Sequence, residues 1–128
     1  MAFQCSGPAR RALWLPDIDS WEAWDAMQGA AAQRYGALRA AVAAVDHAFL
    51  DACFFDSDEL PPGRDPSTIP HPRVLDTLAA LEGQGLEGRV VLIHMNHTNP
   101  LWRPQGAQAQ RVLAAGLAIG QQGGEYRL

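Results

Sequence analysis

The sequence predicts an α/β fold built on a short, mostly parallel sheet, and three observations predict it. Leu13-Trp14-Leu15, Ala48-Phe49-Leu50 and Val90-Val91-Leu92-Ile93 are short apolar runs of the kind found in buried parallel strands. Segments with apolar residues three and four apart alternate with these runs, which gives the strand, helix, strand order of right-handed crossovers. Each run also stops close to a side chain that can bind a metal or move a proton: Asp17, Asp51 and His94. Parallel strands gather such side chains at the carboxyl edge of one sheet, where open α/β sheets bind their ligands.

Residues 12–15 read as the first strand. Pro16 and the Asp17-Ile18-Asp19-Ser20 cluster then turn the chain toward Trp21 and Trp24, with Asp19 or Ser20 as the cap of the next helix. Residues 28–45 read as one Ala-rich helix whose stripe of Tyr35, Leu38, Val42 and Val45 faces the sheet. Residues 48–55 form the second strand. Between Asp56 and Pro72, the prolines at 61, 62, 66 and 70, interleaved with acidic residues, impose an irregular loop. Loops of that length in compact domains are usually functional. Residues 72–81 form a helix with Val74, Leu75, Leu78 and Leu81 on one face and Pro72 in its first turn. Residues 89–93 are the third strand, 105–115 the last helix, closed by Gly116, and 117–121 a final short strand.

At 128 residues the chain has the length of one domain, and such a chain buries roughly two thirds of its unfolded surface. Its 48% hydrophobic and 19% charged residues exclude a disordered chain. A net charge of −4 disfavours nonspecific nucleic-acid binding, which needs a basic face. A phosphate-bearing substrate stays compatible with that charge, because a metal supplies positive charge locally. Cys5 and Cys53 are too few for the disulfide framework of a small secreted protein, and no apolar run approaches the ~20 residues of a membrane span. A cytoplasmic location with no membrane partner is the expectation.

The densest polar chemistry is His94-Met95-Asn96-His97-Thr98-Asn99-Pro100, directly after the third strand. Asp51 lies in an apolar setting, Phe49-Leu50-Asp51-Ala52-Cys53-Phe54-Phe55, where a lone carboxylate is costly, so it needs a partner, and a histidine is a good one. His71 stands between Pro70 and Pro72, which hold it in extended geometry, an advantage for a general acid. Asp17 is either a ligand or a turn former, and His97 either supports the ligands or faces solvent. Cys53 is expected in the core, and His47 has no assigned role. No Gly-x-Ser-x-Gly elbow and no phosphate-cradling glycine loop is present.

Five motifs in order carry a resemblance that covers nearly the whole chain: Leu15-Pro16-Asp17-Ile18-Asp19-Ser20-Trp21, Phe49 to Phe55, Asp58-Glu59-Leu60-Pro61 with Gly63-Arg64-Asp65, Ile69-Pro70-His71-Pro72, and His94 to Pro100. Together they resemble the carboxyl-terminal half of metallo-β-lactamase-fold hydrolases, nearest those called coenzyme PQQ synthesis protein B-like, with ribonuclease Z enzymes more distant. The resemblance implies half of an αββα sandwich, residues 1–128 forming one partial domain. It implies that Asp17 and His94 are metal ligands, that His71 and Asp51 serve catalysis as proton donor and orienting acid, and that Asn96 and His97 support the ligands. The implied cofactor is zinc, or manganese or iron, as two ions in the full domain. The implied activity is metal-dependent hydrolysis of a phosphodiester or other ester bond in a small molecule.

The family's His-x-His-x-Asp-His motif has no equivalent in this chain, and Asp51-Ala52-Cys53-Phe54 stands where close relatives have Asp-Gly-Thr-Phe. Two ligands fall short of the about three protein ligands of a catalytic zinc. A half of this fold also leaves bare the sheet face its other half covers. The expected partner is therefore a second chain or the amino-terminal half. The competing expectation is a noncatalytic half-domain that dimerises or complements a partner chain.

Overall fold

The computed structural model describes all residues except 31, 61, 66 and 67. Its strands are β1 (Phe3–Ser6), β2 (Arg11–Leu15), β3 (His47–Asp51), β4 (Val90–Ile93) and β5 (Ala118–Ile119), in the spatial order β1-β2-β3-β4-β5. Its helices are α1 (Trp21–Met27), α2 (Gly36–Ala43), α3 (Val74–Leu81) and α4 (Ala107–Ala114). The expected α/β class with a mostly parallel sheet is what forms: β2, β3, β4 and β5 run parallel. β1, absent from the sequence expectation, joins the edge antiparallel, with Phe3 opposite Trp14 and Ser6 opposite Arg11.

Every parallel connection steps in the same direction across the sheet. Right-handed crossovers that all step one way put all their helices on one face. The core follows that rule. Leu13, Leu15, Leu50, Val90 and Leu92 meet Trp21, Leu38, Val42, Val74, Leu78, Leu81 and Val112 in one cluster, and Trp21, Leu38 and Leu92 are wholly buried. By strand alternation the other face carries Ala12, Trp14, Phe49, Val91 and Ile93. No helix covers this face among the described residues. The chain's end reaches it, with Leu128 against the Ala12, Phe49, Val91 cluster and Tyr126 edge-on to Phe49 at 4.8 Å. Trp14 remains 44% exposed.

The single helix expected over 28–45 forms only in its second half, as α2, while a separate helix, α1, precedes it; residue 31 lies outside the described residues. α1 starts at Ser20, whose Oγ accepts from Ala23 N at 3.0 Å, and stops at Met27 before Gly29. Tyr35 at φ 63° then precedes α2 and has no side-chain cap of its own. The buried Asp25 of α1 supplies that cap from a distance: its carboxylate accepts from Tyr35 N and from Ala37 N, the latter at 2.8 Å. Composition could not reveal where α2 starts, because the alanines at 30, 32, 37, 40 and 41 continue on both sides of Tyr35.

The second strand is shorter than expected, ending at Asp51 rather than Phe55. Ala52 N still donates to Ile93 O at 2.8 Å, but Cys53 turns away. The helix expected from Pro72 begins at Val74, where Arg73 caps it and grips Asp76 through two bonds, 2.9 and 2.8 Å. The last strand is Ala118–Ile119 rather than 117–121, and Gly120 beyond it still donates its N to Leu92 O at 2.8 Å, so close to β4 that no side chain fits there. In the 56–72 loop, Ser57–Glu59 forms one 3-10 turn, and positions 61, 66 and 67 lie outside the described residues.

Candidate active site at the carboxyl edge

Register sets the site. Leu15 pairs with Leu50 and Asp51 with Ile93, so the residues that leave β2, β3 and β4 emerge side by side. Asp51 is the hub and is fully buried. Its Oδ1 accepts from Cys53 N at 2.8 Å, and its Oδ2 from Ile18 N at 3.2 Å. His71 Nδ1 lies 2.8 Å from the same Oδ2, and His94 Nδ1 lies 3.4 Å from it. The histidine partner that Asp51 needed is therefore His71, with His94 beside it. The carboxylate, which already accepts two backbone N–H groups, is met by Nδ1–H of His71, so Nε2 of that ring is left as a lone-pair donor.

That nitrogen faces Asp17, whose Oδ1 is 3.8 Å away. The gap is too long for a hydrogen bond. The two imidazole rings lie 5.3 Å apart. Asp17, Asp51, His71 and His94 thus converge at one rim of the sheet.

Backbone strain marks the same place. Asp17 has φ 54° and His94 φ 63°, two of the three non-glycine residues in the left-handed region among the described residues. Such conformations cost about 1–3 kcal/mol each and persist where the surrounding fold fixes them. The turn at His94 also cancels the strand alternation that would have set His94 and Asn96 on a shared face.

The other named residues divide. Asn96 spends its side chain on its own turn, donating to Thr98 Oγ1 at 2.9 Å and accepting from His97 N at 2.9 Å. Exposed His97 opens onto a neighbouring cavity with Asp56, Glu59, Trp102 and Arg111. Neither contact is with Asp17 or His94. The bracing falls instead to Asn99, which sequence reasoning did not single out. It is buried and donates to Ala52 O at 2.7 Å and Cys53 O at 3.2 Å, and it accepts from Leu101 N at 2.9 Å. Its signal was the Asn-Pro pair: Pro100 leads a 3-10 turn that Asn99 caps.

Cys53 is not the core residue expected from its apolar surroundings. It is half-buried, and one donor atom each from Cys53, His71 and His94 lies within 4.8 Å of the other two. Burial, with the charge of Asp51 second, pushes its thiol up to about 11. His71 opens on its other side to a cavity of 370 Å³ lined by Asp19, Glu22, Asp56, Arg73 and Asp76. His94 borders a second cavity that continues along the helix-free face past Trp14, Phe49 and Tyr126.

No family model matches the chain. Among curated proteins, it is 34% identical over 90 residues to coenzyme PQQ synthesis protein B of Rhizobium meliloti (strain 1021), a match covering 65% of this chain and 29% of that protein. The chain spans less than a third of the length of the relative it matches. The similarity supports a relation to that protein's family. Among the described residues, no helix is long and apolar enough to cross a membrane.

Proposed function

We propose that this chain carries the carboxyl-terminal half of a metal-dependent hydrolase of the metallo-β-lactamase type, acting on a phosphodiester or other ester bond. The observation that carries this reading is the convergence on buried Asp51 of His71 at 2.8 Å and His94 at 3.4 Å, with Asp17 facing His71 Nε2 at 3.8 Å. A carboxylate behind an imidazole fixes the ring's tautomer and raises its basicity, which suits a histidine that must ligate a metal or pass a proton.

The donor set of imidazole and carboxylate fits zinc, manganese or iron. Asp17 and His94 are the residues that hold the metal, and a bound metal lowers the pKa of water and polarises the scissile bond. The chain's own contribution is positional. Asp51 holds Nδ1–H of His71, and Pro70 and Pro72 hold its backbone, so Nε2 is the ring atom left to take up a proton and pass it to a leaving oxygen. The supporting parts assigned to Asn96 and His97 pass to Asn99, whose two carbonyl contacts fix the loop beyond Asp51.

Two ligands leave a catalytic metal short of its usual three. The remaining donors come from a partner, a second chain or the rest of a longer protein, packed on the helix-free face where Trp14, Phe49, Val91 and Ile93 meet the rim at His94. The short match to its relative supports a site shared in this way.

The test joins this chain to the part of the Rhizobium meliloti protein outside the match and measures zinc- or manganese-dependent hydrolysis of an activated phosphodiester. Turnover in the mixture, lost with Asp17→Asn, is the expected result, while the chain alone binds zinc no tighter than micromolar and is inactive. Stoichiometric binding of two metals with turnover by the chain alone overturns the shared site. Hydrolysis that survives chelation overturns the metal reading.

The exposed apolar face favours a second reading, a noncatalytic half-domain that dimerises through its sheet. Mass in solution separates the two: a dimer that forms without zinc supports the module.

A further inference from the structure

We infer that Cys53, His71 and His94 form a site for one zinc-like divalent cation, with the Cys53 thiolate as a ligand. The inference rests on the reading above in taking His94 as a ligand, and departs from it in using Cys53 and His71 instead of Asp17.

Geometry is the first support. Donor atoms from the three residues lie within 4.8 Å of one another although they come from three separate segments: the end of β3, the proline-flanked turn and the end of β4. Donors on a tetrahedral zinc stand about 3.5 Å apart, given metal–sulfur and metal–nitrogen bonds of about 2.3 and 2.0 Å. Closing the site takes about an ångström of side-chain movement, and His94, 43% exposed, is free to make it.

Rigidity is the second support. The backbone of Cys53 is held on both sides: its N donates to Asp51 Oδ1 at 2.8 Å, and its O accepts from Asn96 N at 3.0 Å and Asn99 Nδ2 at 3.2 Å. Asp51 lies behind both imidazoles, as carboxylates do behind metal-bound histidines. The loop is thus fixed while the thiol alone can turn, an arrangement that lowers the ordering cost of ligation.

Chemistry is the third. One thiolate and two imidazoles select zinc, cobalt or cadmium over the hard cations manganese and magnesium, which prefer oxygen. On binding, the sulfur lone pair coordinates the cation and the thiol proton leaves to solvent. A metal on His71 occupies the Nε2 lone pair, so this occupancy and proton transfer by His71 exclude each other.

The test titrates the full chain, carrying Cys5→Ser and kept reduced, with cobalt(II) as the probe. A sulfur-to-cobalt charge-transfer band that saturates at one equivalent is the expected result. Cys53→Ala abolishes the band, and His94→Ala abolishes or weakens it, with circular dichroism confirming that each variant is folded. Asp17→Asn leaves it intact. Absence of the band in the parent, or its survival in Cys53→Ala, overturns the inference. Loss of manganese-dependent hydrolysis in Asp17→Asn bears on the hydrolase reading alone, so the two stand or fall separately.

Discussion

Asp51→Asn is the most informative single change, because the side chain keeps its size while its acceptors are cut. In the native protein Oδ2 takes three contacts, Ile18 N at 3.2 Å, His71 Nδ1 at 2.8 Å and His94 Nδ1 at 3.4 Å, and Oδ1 takes Cys53 N at 2.8 Å. The amide keeps its oxygen at the busier position and turns its NH₂ against Cys53 N. One buried backbone donor is then unpaired and faces another donor. A buried unsatisfied group costs about 1–3 kcal/mol, so the expected loss is about 2 kcal/mol. For a domain of this size that lowers Tm by about 8 °C, at roughly 4 °C per kcal/mol. Urea denaturation should show a lower midpoint at unchanged slope. The same change removes the negative charge behind both imidazoles, and loss of such a carboxylate weakens metal binding about 10–100-fold. An unchanged midpoint together with unchanged zinc affinity refutes Asp51 as the hub.

Asp25→Ala removes both acceptors at the start of α2 and is expected to cost about 2–4 kcal/mol by urea denaturation, whereas a change below about 0.5 kcal/mol shows that solvent caps the helix instead. Glu59 accepts from Phe55 N and Asp56 N, yet desolvation raises its carboxyl above the ordinary value of 4.5. A raised carboxyl contributes stability that is complete below its unfolded value and is lost as pH rises through the folded one. Glu59→Gln keeps an acceptor oxygen and has no charge to bury, so its urea midpoint should gain on the parent as pH rises from 4.5, and parallel curves count against burial as the cause. With its thiol at about 11, Cys53 in a Cys5→Ser chain should alkylate slowly at neutral pH and roughly tenfold faster per pH unit up to that value. Rapid alkylation at neutral pH contradicts the buried environment described above.

The limits of sequence reading are clearest at the loops. His94-Met95-Asn96-His97 drew attention by its composition, but composition could not say that φ 63° at His94 turns that ring toward Asp51 while Asn96 bonds within its own turn. Cys53 looked like a core residue because its neighbours in sequence are apolar. Its neighbours in space are two imidazoles and a carboxylate.

The sequence by itself determined the parallel strands, the crossover order and the arrival of Asp17, Asp51 and His94 at one edge, because apolar runs and helical spacing are local properties that parallel register converts into adjacency. Tertiary structure alone decided the break between α1 and α2, the bracing by Asn99 and the place of Cys53 beside the histidines. Each depends on a hydrogen bond or contact between residues far apart in the chain: Asp25 with Ala37 N, Asn99 with Cys53 O, and Cys53 near His71 and His94. Pairings of that range leave no period in the sequence, since they follow from where folded loops meet and not from the order in which their residues are joined.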